Sequence, residues 1–185
     1  RTRCSILVRQ KFESGETRVL VDTAPDMRQQ LLDARIAALD GVLITHDHAD
    51  QLHGIDDLRM IAIAMRRRVE VWSDNAVLEG VMRKFSYCFL QPPGSDYPPI
   101  LEAREIPEPF APFAICGAGG ALPVLAFGQG HGRIRSLGYR FGGIAYSSDA
   151  DRLVEAAFRA LQGVDVWIVD ALRHAPHPSH SHLDR

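Results

Sequence analysis

The sequence predicts a protein of mixed secondary structure, α/β or α+β, in which helices cover β-sheets. Short segments that are apolar or that alternate apolar and polar residues predict strands, and segments with apolar residues every three or four positions predict the helices between them. The 185 residues are 46% hydrophobic and 24% charged, which is usual for a globular protein. We expect residues 1–185 to form one domain with a substantial core, lacking the natural N- and C-terminal strands, because the chain starts in strand-like sequence and stops where a helix begins.

The elements follow in order from these patterns. Residues 5–11 alternate in polarity and residues 18–21 return after a turn, which predicts a hairpin. A helix opens at Pro25 and carries Met27 and Ile36. The fully apolar segment that follows predicts a strand buried on both faces. We predict strands at 41–45, 69–72, 122–127, 136–141, 144–147 and 164–170, helices at 54–65, 75–84 and 151–161, and irregular loops at 91–99 and 109–120.

Charge and cysteine content exclude some classes of protein. The net charge of -2 gives no broad basic surface, so a phosphate or nucleic-acid partner would have to bind at a local site. Cys4, Cys88 and Cys116 form no C-x-x-C pair, which argues against a disulfide framework and against a cysteine zinc site. This usage fits a reducing cytoplasm, and no apolar run approaches the roughly 20 residues of a membrane span. We expect a cytoplasmic protein with no membrane partner.

The candidate chemistry lies directly after the first fully apolar strand. There the chain reads Thr-His-Asp-His-Ala-Asp, with His46, His48 and Asp50 at alternate positions. Because side chains two apart in an extended segment point the same way, His46 and His48 can converge on one ion. Imidazole nitrogens and a carboxylate oxygen suit zinc, manganese or iron. The sequence therefore predicts a metal site at the end of this strand.

This segment resembles the H-x-H-x-D-H signature of the metallo-β-lactamase superfamily, and further landmarks appear in the family's order. The resemblance implies an α+β fold, a four-layer αββα sandwich, and metal ligands at His46, His48, Asp50, His131 and Asp149. His131 stands in a Gly-rich segment between two strands, and Asp149 follows a strand, where it could also cap the next helix. Asp22, in the early Val-Asp-Thr segment, would brace the metal loop.

Two further segments are similar to the phosphodiesterase branch of that superfamily, which holds phosphoribosyl cyclic phosphodiesterase and ribonuclease Z. These are residues 54–59 (Gly-Ile-Asp-Asp-Leu-Arg) and 138–141 (Gly-Tyr-Arg-Phe). The resemblance implies a phosphoric diester hydrolase acting on a nucleotide-like or cyclic ribose phosphodiester through a metal-bound hydroxide, with Asp50 orienting the nucleophile.

The sequence departs from the family pattern at Gln51, where the family places a histidine of the second metal. A glutamine amide is a weaker, neutral ligand, and His53 is a candidate replacement, although its position changes its direction. The family's last histidine ligand has no counterpart before Arg185. We therefore expect one or two ions, Zn²⁺ or Mn²⁺, with a looser or incomplete second site.

The C-terminal histidines supply another candidate. The segment from His180 resembles a helix start in ribonuclease Z and its relatives, where the histidine acts as an acid, so the resemblance implies His180 as general acid, with His177 as the alternative. Arg173 could pair with a substrate phosphate or lie on the surface.

Alternative functions stay open at this point. One is a thioester or lactone hydrolase of glyoxalase II type, and another is a non-catalytic relative that holds a nucleotide, which Gln51 favours. The expected partner is a small phosphorylated, nucleotide-like substrate; RNA is left open although no basic patch supports it, and so is a homodimer.

Overall fold

The structure is a computed structural model that describes residues 2–170. The described chain divides into two compact units. Unit 1 comprises residues 2–107 and 115–122, and unit 2 comprises residues 108–114 and 123–170. A five-stranded sheet lies in unit 1, and most of a six-stranded sheet lies in unit 2.

The sheet of unit 1 has the order β1-β2-β3-β4-β5. The first two strands form an antiparallel hairpin, and each later strand pairs in parallel with the one before it. Helices connect the parallel strands, as such connections require. The elements are β1 (Ile6–Phe12), β2 (Gly15–Val21), α1 (Met27–Asp33), β3 (Gly41–Leu43), α2 (Ala49–Leu52), a 3₁₀ helix (Ile55–Asp57), α3 (Leu58–Met65), β4 (Val69–Ser73), α4 (Asn75–Phe89) and β5 (Leu101–Glu105).

The core of unit 1 lies between this sheet and its helices. All three residues of β3 are buried, as expected for a central parallel strand covered on both faces. Helix α4 starts at an aspartate cap, where the Asp74 side chain accepts a hydrogen bond of 2.8 Å from the backbone N–H of Val77. Helix α4 is kinked at Phe85, its eleventh residue, which has non-helical backbone angles (φ -131°, ψ 37°).

The sheet of unit 2 has the order β10-β7-β8-β9-β11, with β6 paired to β7. Strand β11 runs parallel to β9, whereas β7, β8, β9 and β10 pair antiparallel. A small apolar cluster joins α5 to β7 through Phe127, Ala157 and Ala160. The elements are β6 (Phe113–Gly117), β7 (Gly120–His131), β8 (Ile134–Phe141), β9 (Ile144–Ser147), β10 (Arg152–Leu153), α5 (Glu155–Leu161) and β11 (Val166–Val169).

The predicted alternation of strands and helices is confirmed, and so is the first hairpin, in which Phe12 pairs with Gly15. Three predictions of detail were wrong. The helix predicted at 151–161 begins only at Glu155, because residues 152–153 pair with β7 as strand β10. Helix α1 ends at Asp33 because Arg35 adopts a left-handed conformation (φ 56°), so Ile36 lies beyond the helix, although it is buried. The segment 109–120 is not wholly irregular, because β6 forms there by pairing with β7. Strand β5 was not predicted.

Within residues 2–170, the structure contains no helix that is both long enough and apolar enough to cross a membrane.

Candidate metal centre

The histidine loop of unit 1, residues 44–48, connects β3 to α2. Ile44 and Thr45 continue the buried path of β3, and the side chain of His46 is almost completely buried. His48 is exposed and precedes the first turn of α2. The ring centroids of His46 and His48 are 4.7 Å apart, with the ring planes at 76°. The structure therefore brings the two predicted histidine ligands together.

A chain of hydrogen bonds holds His46 from the neighbouring strand. Asp22 directly follows β2 and is fully buried. Its carboxylate accepts a 2.8 Å hydrogen bond from the backbone N–H of Thr45 and is 2.9 and 3.0 Å from the Thr45 hydroxyl. The Thr45 hydroxyl is also 3.0 Å from Nδ1 of His46.

This arrangement determines which nitrogen of His46 can bind a metal. An ionised carboxylate only accepts hydrogen bonds, so Thr45 donates its single hydroxyl proton to Asp22. The Thr45 oxygen then accepts the Nδ1–H of His46, which leaves the imidazole lone pair on Nε2. A supported histidine with its lone pair on the other nitrogen is the usual form of a metal ligand.

The end of β2 also holds α2, the helix that carries the next candidates. The backbone N–H of Thr23 donates to the carbonyl of Gln51 at 2.8 Å, and the Thr23 hydroxyl donates to the carbonyl of Leu52 at 3.0 Å. Gly54 donates to the Thr23 carbonyl at 2.8 Å, and a Cβ at Gly54 would overlap the carbonyl oxygen of Ala24. These contacts hold the backbone of α2 at Gln51, which is a buried residue.

Helix α4 holds the histidine loop from another direction. Nζ of Lys84 donates to the Asp47 carboxylate at 2.7 Å and also to the Asp47 backbone carbonyl. One turn earlier on α4, Gly80 lets the loop approach, because a Cβ there would lie 2.5 Å from the Asp47 carboxylate. Burial raises the pKa of Asp47, but the hydrogen bond and charge of Lys84 outweigh it, so the pKa lies below its ordinary value.

Two other predicted residues of unit 1 lie on either side of Gln51. Asp50 is exposed in the first turn of α2. His53 caps the end of that helix, and its ring packs edge-on against Phe85 with centroids 5.6 Å apart. The ring of His53 therefore lies on the side of α4.

In unit 2, the candidate ligands His131 and Asp149 are both largely buried. His131 is the last residue of β7, and Asp149 lies two residues beyond β9. Asp149 has a left-handed backbone (φ 47°). Asp22 shares this feature (φ 64°). Such conformations are uncommon for residues other than glycine and often mark functional sites.

Hydrogen bonds hold the end of β7 beside the segment that contains Asp149. The Ser136 hydroxyl donates to the Asp149 carbonyl at 3.1 Å. The backbone N–H of Asp151 donates to the carbonyl of Gly130 at 2.8 Å, and the Asp151 carboxylate accepts from the N–H of Gly132 at 2.7 Å. The backbones on both sides of His131 are therefore fastened to residues 149–151.

The structure thus groups the predicted ligands within each unit. Three other predicted site residues are not among those that the structure describes. Arg173, His177 and His180 lie outside the described residues. Sequence reasoning missed the supporting roles of Thr45, Lys84 and Asp151. Lys84 lies one helical turn after Gly80, which places both on one helix face, but the sequence does not show that this face contacts Asp47.

A buried, supported imidazole beside a second histidine, at the end of a central strand, is typical of metal-dependent enzymes. A model of the family described as Beta-lactamase superfamily domain matches residues 17–185. The chain belongs to this superfamily and has the metallo-β-lactamase fold, with mixed α and β content and two sheets. It is a hydrolase superfamily, and with the paired histidines this membership indicates a divalent metal site.

Solved structures and a curated relative support the assignment. A structure described as a new diphosphatase from the PhnP family is 30% identical, with a TM-score of 0.80 over 99% of this chain and 65% of that chain. The short form of human tRNase Z (ELAC1) shares the fold, with 20% identity and a TM-score of 0.61 over 99% of this chain and 79% of that chain.

A protein of Porphyromonas gingivalis named octanoyltransferase is 34% identical over 188 residues, covering 100% of this chain. The chain spans 36% of the length of that relative and 65% of the PhnP-family structure. The activity in a relative's name belongs to that whole protein.

Proposed function

We propose that the protein is a metal-dependent phosphodiesterase that acts on a nucleotide-like or cyclic ribose phosphodiester. The observation that carries the proposal is the buried chain from Asp22 through Thr45 to His46, with the His48 ring 4.7 Å away. The similarity to the PhnP-family diphosphatase, at 30% identity, favours phosphorus over carbon as the centre that is attacked. The three cysteines, with no C-x-x-C pair among them, fit a cytoplasmic location.

The donor atoms fit a divalent cation. His46 presents the lone pair of Nε2 and His48 a second imidazole, and nitrogen donors of this kind suit Zn²⁺ and Mn²⁺. We propose that His46, His48, Asp50, His131 and Asp149 hold the metal. A bound divalent cation supplies an acidified water near neutral pH and neutralises charge on phosphoryl oxygens.

The side chains of this protein supply the other catalytic and supporting functions. Asp50 orients the nucleophilic water and accepts its proton, a role for which its exposed position on the first turn of α2 is suitable. Asp22 and Thr45 keep His46 in one tautomer and orientation. His180 is proposed to protonate the leaving oxygen, with Arg173 pairing with the phosphate.

Hydrolysis of a thioester is the competing activity, and the name of the Porphyromonas gingivalis relative also refers to acyl chemistry. A non-catalytic nucleotide-binding protein is the competing non-enzymatic function. Each predicts a different pattern of turnover and binding, so a single set of assays separates the three functions.

The decisive experiment measures hydrolysis of bis-p-nitrophenyl phosphate and of a small thioester by protein loaded with Zn²⁺ or Mn²⁺. We expect turnover of the diester, and a loss of roughly 10²–10⁴-fold in kcat for Asp50→Asn. Asp57→Asn is the matched control, because Asp57 is an exposed aspartate a short distance along the chain, and its kcat should stay within about twofold. Turnover of the thioester alone would refute the assignment, and nucleotide binding without turnover of either ester would establish the binding protein.

The ion count tests the consequence of Gln51. Because a buried glutamine replaces the family's second-metal histidine, we expect one tightly held ion per chain after dialysis, measured by elemental analysis. Gln51→His should raise the count towards two. An unaltered count in a folded variant would mean that the second site is missing for another reason.

A further inference from the structure

Unit 1 has a recess that the proposed metal site does not use. It has a volume of about 290 Å³ and is lined by Arg59, Tyr87, Pro92, Ser95 and Tyr97. Small-molecule pockets usually have volumes of roughly 300–1,000 Å³. A recess just below that range suits one part of a ligand, such as a single planar ring system.

A series of aromatic rings connects this recess to His53, at the end of α2. The ring of His53 packs on Phe85, and the ring of Phe85 lies 6.4 Å from that of Tyr87. The kink of α4 at Phe85 brings residues 85 and 87 into this series, because a regular helix does not place residues two apart on one face. The recess therefore begins two ring contacts away from the end of α2.

The outer wall of the recess is a loop with its own hydrogen bonds. The side chain of Gln91 donates to the carbonyl of Ser95 at 2.5 Å, and the N–H of Ser95 donates to the carbonyl of Pro92 at 3.1 Å. The N–H of Tyr97 donates to the Ser95 hydroxyl at 3.1 Å. These bonds position Tyr97, whose side chain is 75% exposed. The bonds hold the backbone of Tyr97 and leave its ring in solvent, where it can stack with a ligand.

Arg59 gives the recess its positive charge. Its Nη2 donates to the Asp56 carboxylate at 3.0 Å, which holds one edge of the guanidinium group. Arg59 belongs to the Gly-Ile-Asp-Asp-Leu-Arg segment that the metal site leaves unused. Burial, with the neighbouring Cys88 and Asp56, raises the pKa of Tyr87, so its phenol is a neutral donor at physiological pH.

We propose that this recess binds the base of a nucleotide substrate, which stacks on Tyr97 and Tyr87 while Arg59 donates hydrogen bonds to the base. The proposal rests on the proposed phosphodiesterase function, because it specifies that the diester to be cleaved contains a nucleoside base. Stacking accepts any base, since every base has a π-face. Arg59 then favours bases with ring-edge acceptors, as arginine does with guanine.

The first test compares two diesters that release the same p-nitrophenolate. One is the p-nitrophenyl ester of thymidine 5′-monophosphate, and the other is methyl p-nitrophenyl phosphate, which has no base. We expect kcat/KM to be higher for the thymidine ester, and Tyr97→Ala to lower the ratio of the two values about tenfold, as expected for the loss of one stacked ring. Tyr97→Phe keeps the ring and should restore the ratio.

Phe12→Ala is the matched control, because Phe12 is also an aromatic residue of unit 1 and is 63% exposed, outside the recess. It should leave the ratio of the parent protein unchanged. A ratio near one in the parent protein, or an equal fall in Phe12→Ala and Tyr97→Ala, would overturn the proposal.

A binding measurement separates failure of the recess from failure of the proposed activity. Adenosine 5′-monophosphate and ribose 5-phosphate are titrated into the metal-loaded protein by calorimetry. We expect tighter binding of the nucleotide in the parent protein, and a preference for the nucleotide that is about tenfold smaller in Tyr97→Ala. If neither diester is hydrolysed, the phosphodiesterase function fails, while this difference in affinity still decides the recess. Equal affinity in the parent protein would exclude a base site.

Discussion

The histidine loop of unit 1 and the Asp149 segment of unit 2 hold their candidate ligands by different means. In unit 1 the support comes from residues distant in the chain: Asp22 is 23 positions from Thr45, and Lys84 is 37 positions from Asp47. In unit 2 the supporting bonds span shorter separations, from 13 positions between Ser136 and Asp149 to 21 between Gly130 and Asp151.

Burial separates the two supports further. The Asp22 carboxylate is fully buried and bonds a hydroxyl and a backbone N–H that are also buried. The Asp151 side chain is 16% exposed and bonds the N–H of Gly132, which is at the surface. Because an unsatisfied buried donor costs more than one that water can reach, the loop of unit 1 should depend on its carboxylate far more strongly.

The largest expected effect on stability comes from removing the Asp22 and Asp151 carboxylates in two separate variants. Asp22→Ala should lower the free energy of unfolding by about 3 kcal/mol, because it leaves the buried N–H and hydroxyl of Thr45 without their acceptor. Asp151→Ala should lower it by about 1 kcal/mol, since water can replace the lost acceptor. Urea unfolding of the metal-free variants measures both values. Equal losses would show that burial does not distinguish the two supports.

The second effect tests how closely α4 approaches the histidine loop. In an exposed helix interior, changing glycine to alanine stabilises by roughly 0.5–1 kcal/mol. At Gly80 the added Cβ would displace the Asp47 side chain from Lys84, so we expect no gain in stability and a loss of about tenfold in Zn²⁺ affinity. Competition with a chromogenic chelator measures the affinity. A more stable variant with unchanged affinity would mean that the approach of α4 is not needed.

This comparison also explains what the sequence could predict. The apolar run before His46 and the alternation of polarity in β1 are local patterns, so the strand, the hairpin and the position of the histidine loop follow from short segments. The contacts of Lys84 and Gly80 depend on how α4 packs, so they produce no local signal. The edge strand β5 alternates apolar and charged residues at its start, which is a local strand signal that the sequence reasoning missed. The kink at Phe85 is also set by packing, although the predicted end of that helix, at residue 84, coincides with it.

A smaller effect is expected at Lys84 itself. The Lys84 side chain is 37% exposed and that of Asp47 is 29% exposed, so Lys84→Met should lower the free energy of unfolding by less than about 1 kcal/mol. The same change should weaken Zn²⁺ binding by about tenfold, because the loop between the two histidines loses its anchor. Arg83→Met is the control, since Arg83 is an exposed cation next to Lys84. Similar losses of affinity in both variants would indicate a general effect of positive charge.

The smallest effect concerns a carboxylate on β2, the strand that directly precedes Asp22. This carboxylate does not contact the histidine loop. Glu16 of β2 is 2.6 Å from the guanidinium nitrogens of both Arg9 and Arg18, and the hydrogen bond from Arg9 lowers the pKa of Glu16 to about 2. A carboxyl group whose pKa is lower in the folded than in the unfolded protein stabilises the fold above its unfolded pKa, and this contribution is lost as the pH falls through the folded value. Between the ordinary glutamate pKa of 4.5 and about 2, the parent protein should therefore lose more stability than Glu16→Gln, as measured by urea midpoints across that range. At neutral pH the variant should be slightly less stable than the parent and should bind Zn²⁺ equally well, because Glu16, unlike Asp22, makes its ion pairs with Arg9 and Arg18 and not with the histidine loop. A weaker Zn²⁺ affinity in Glu16→Gln would show that support for the loop extends along the whole of β2 and is not confined to the buried carboxylate at its end.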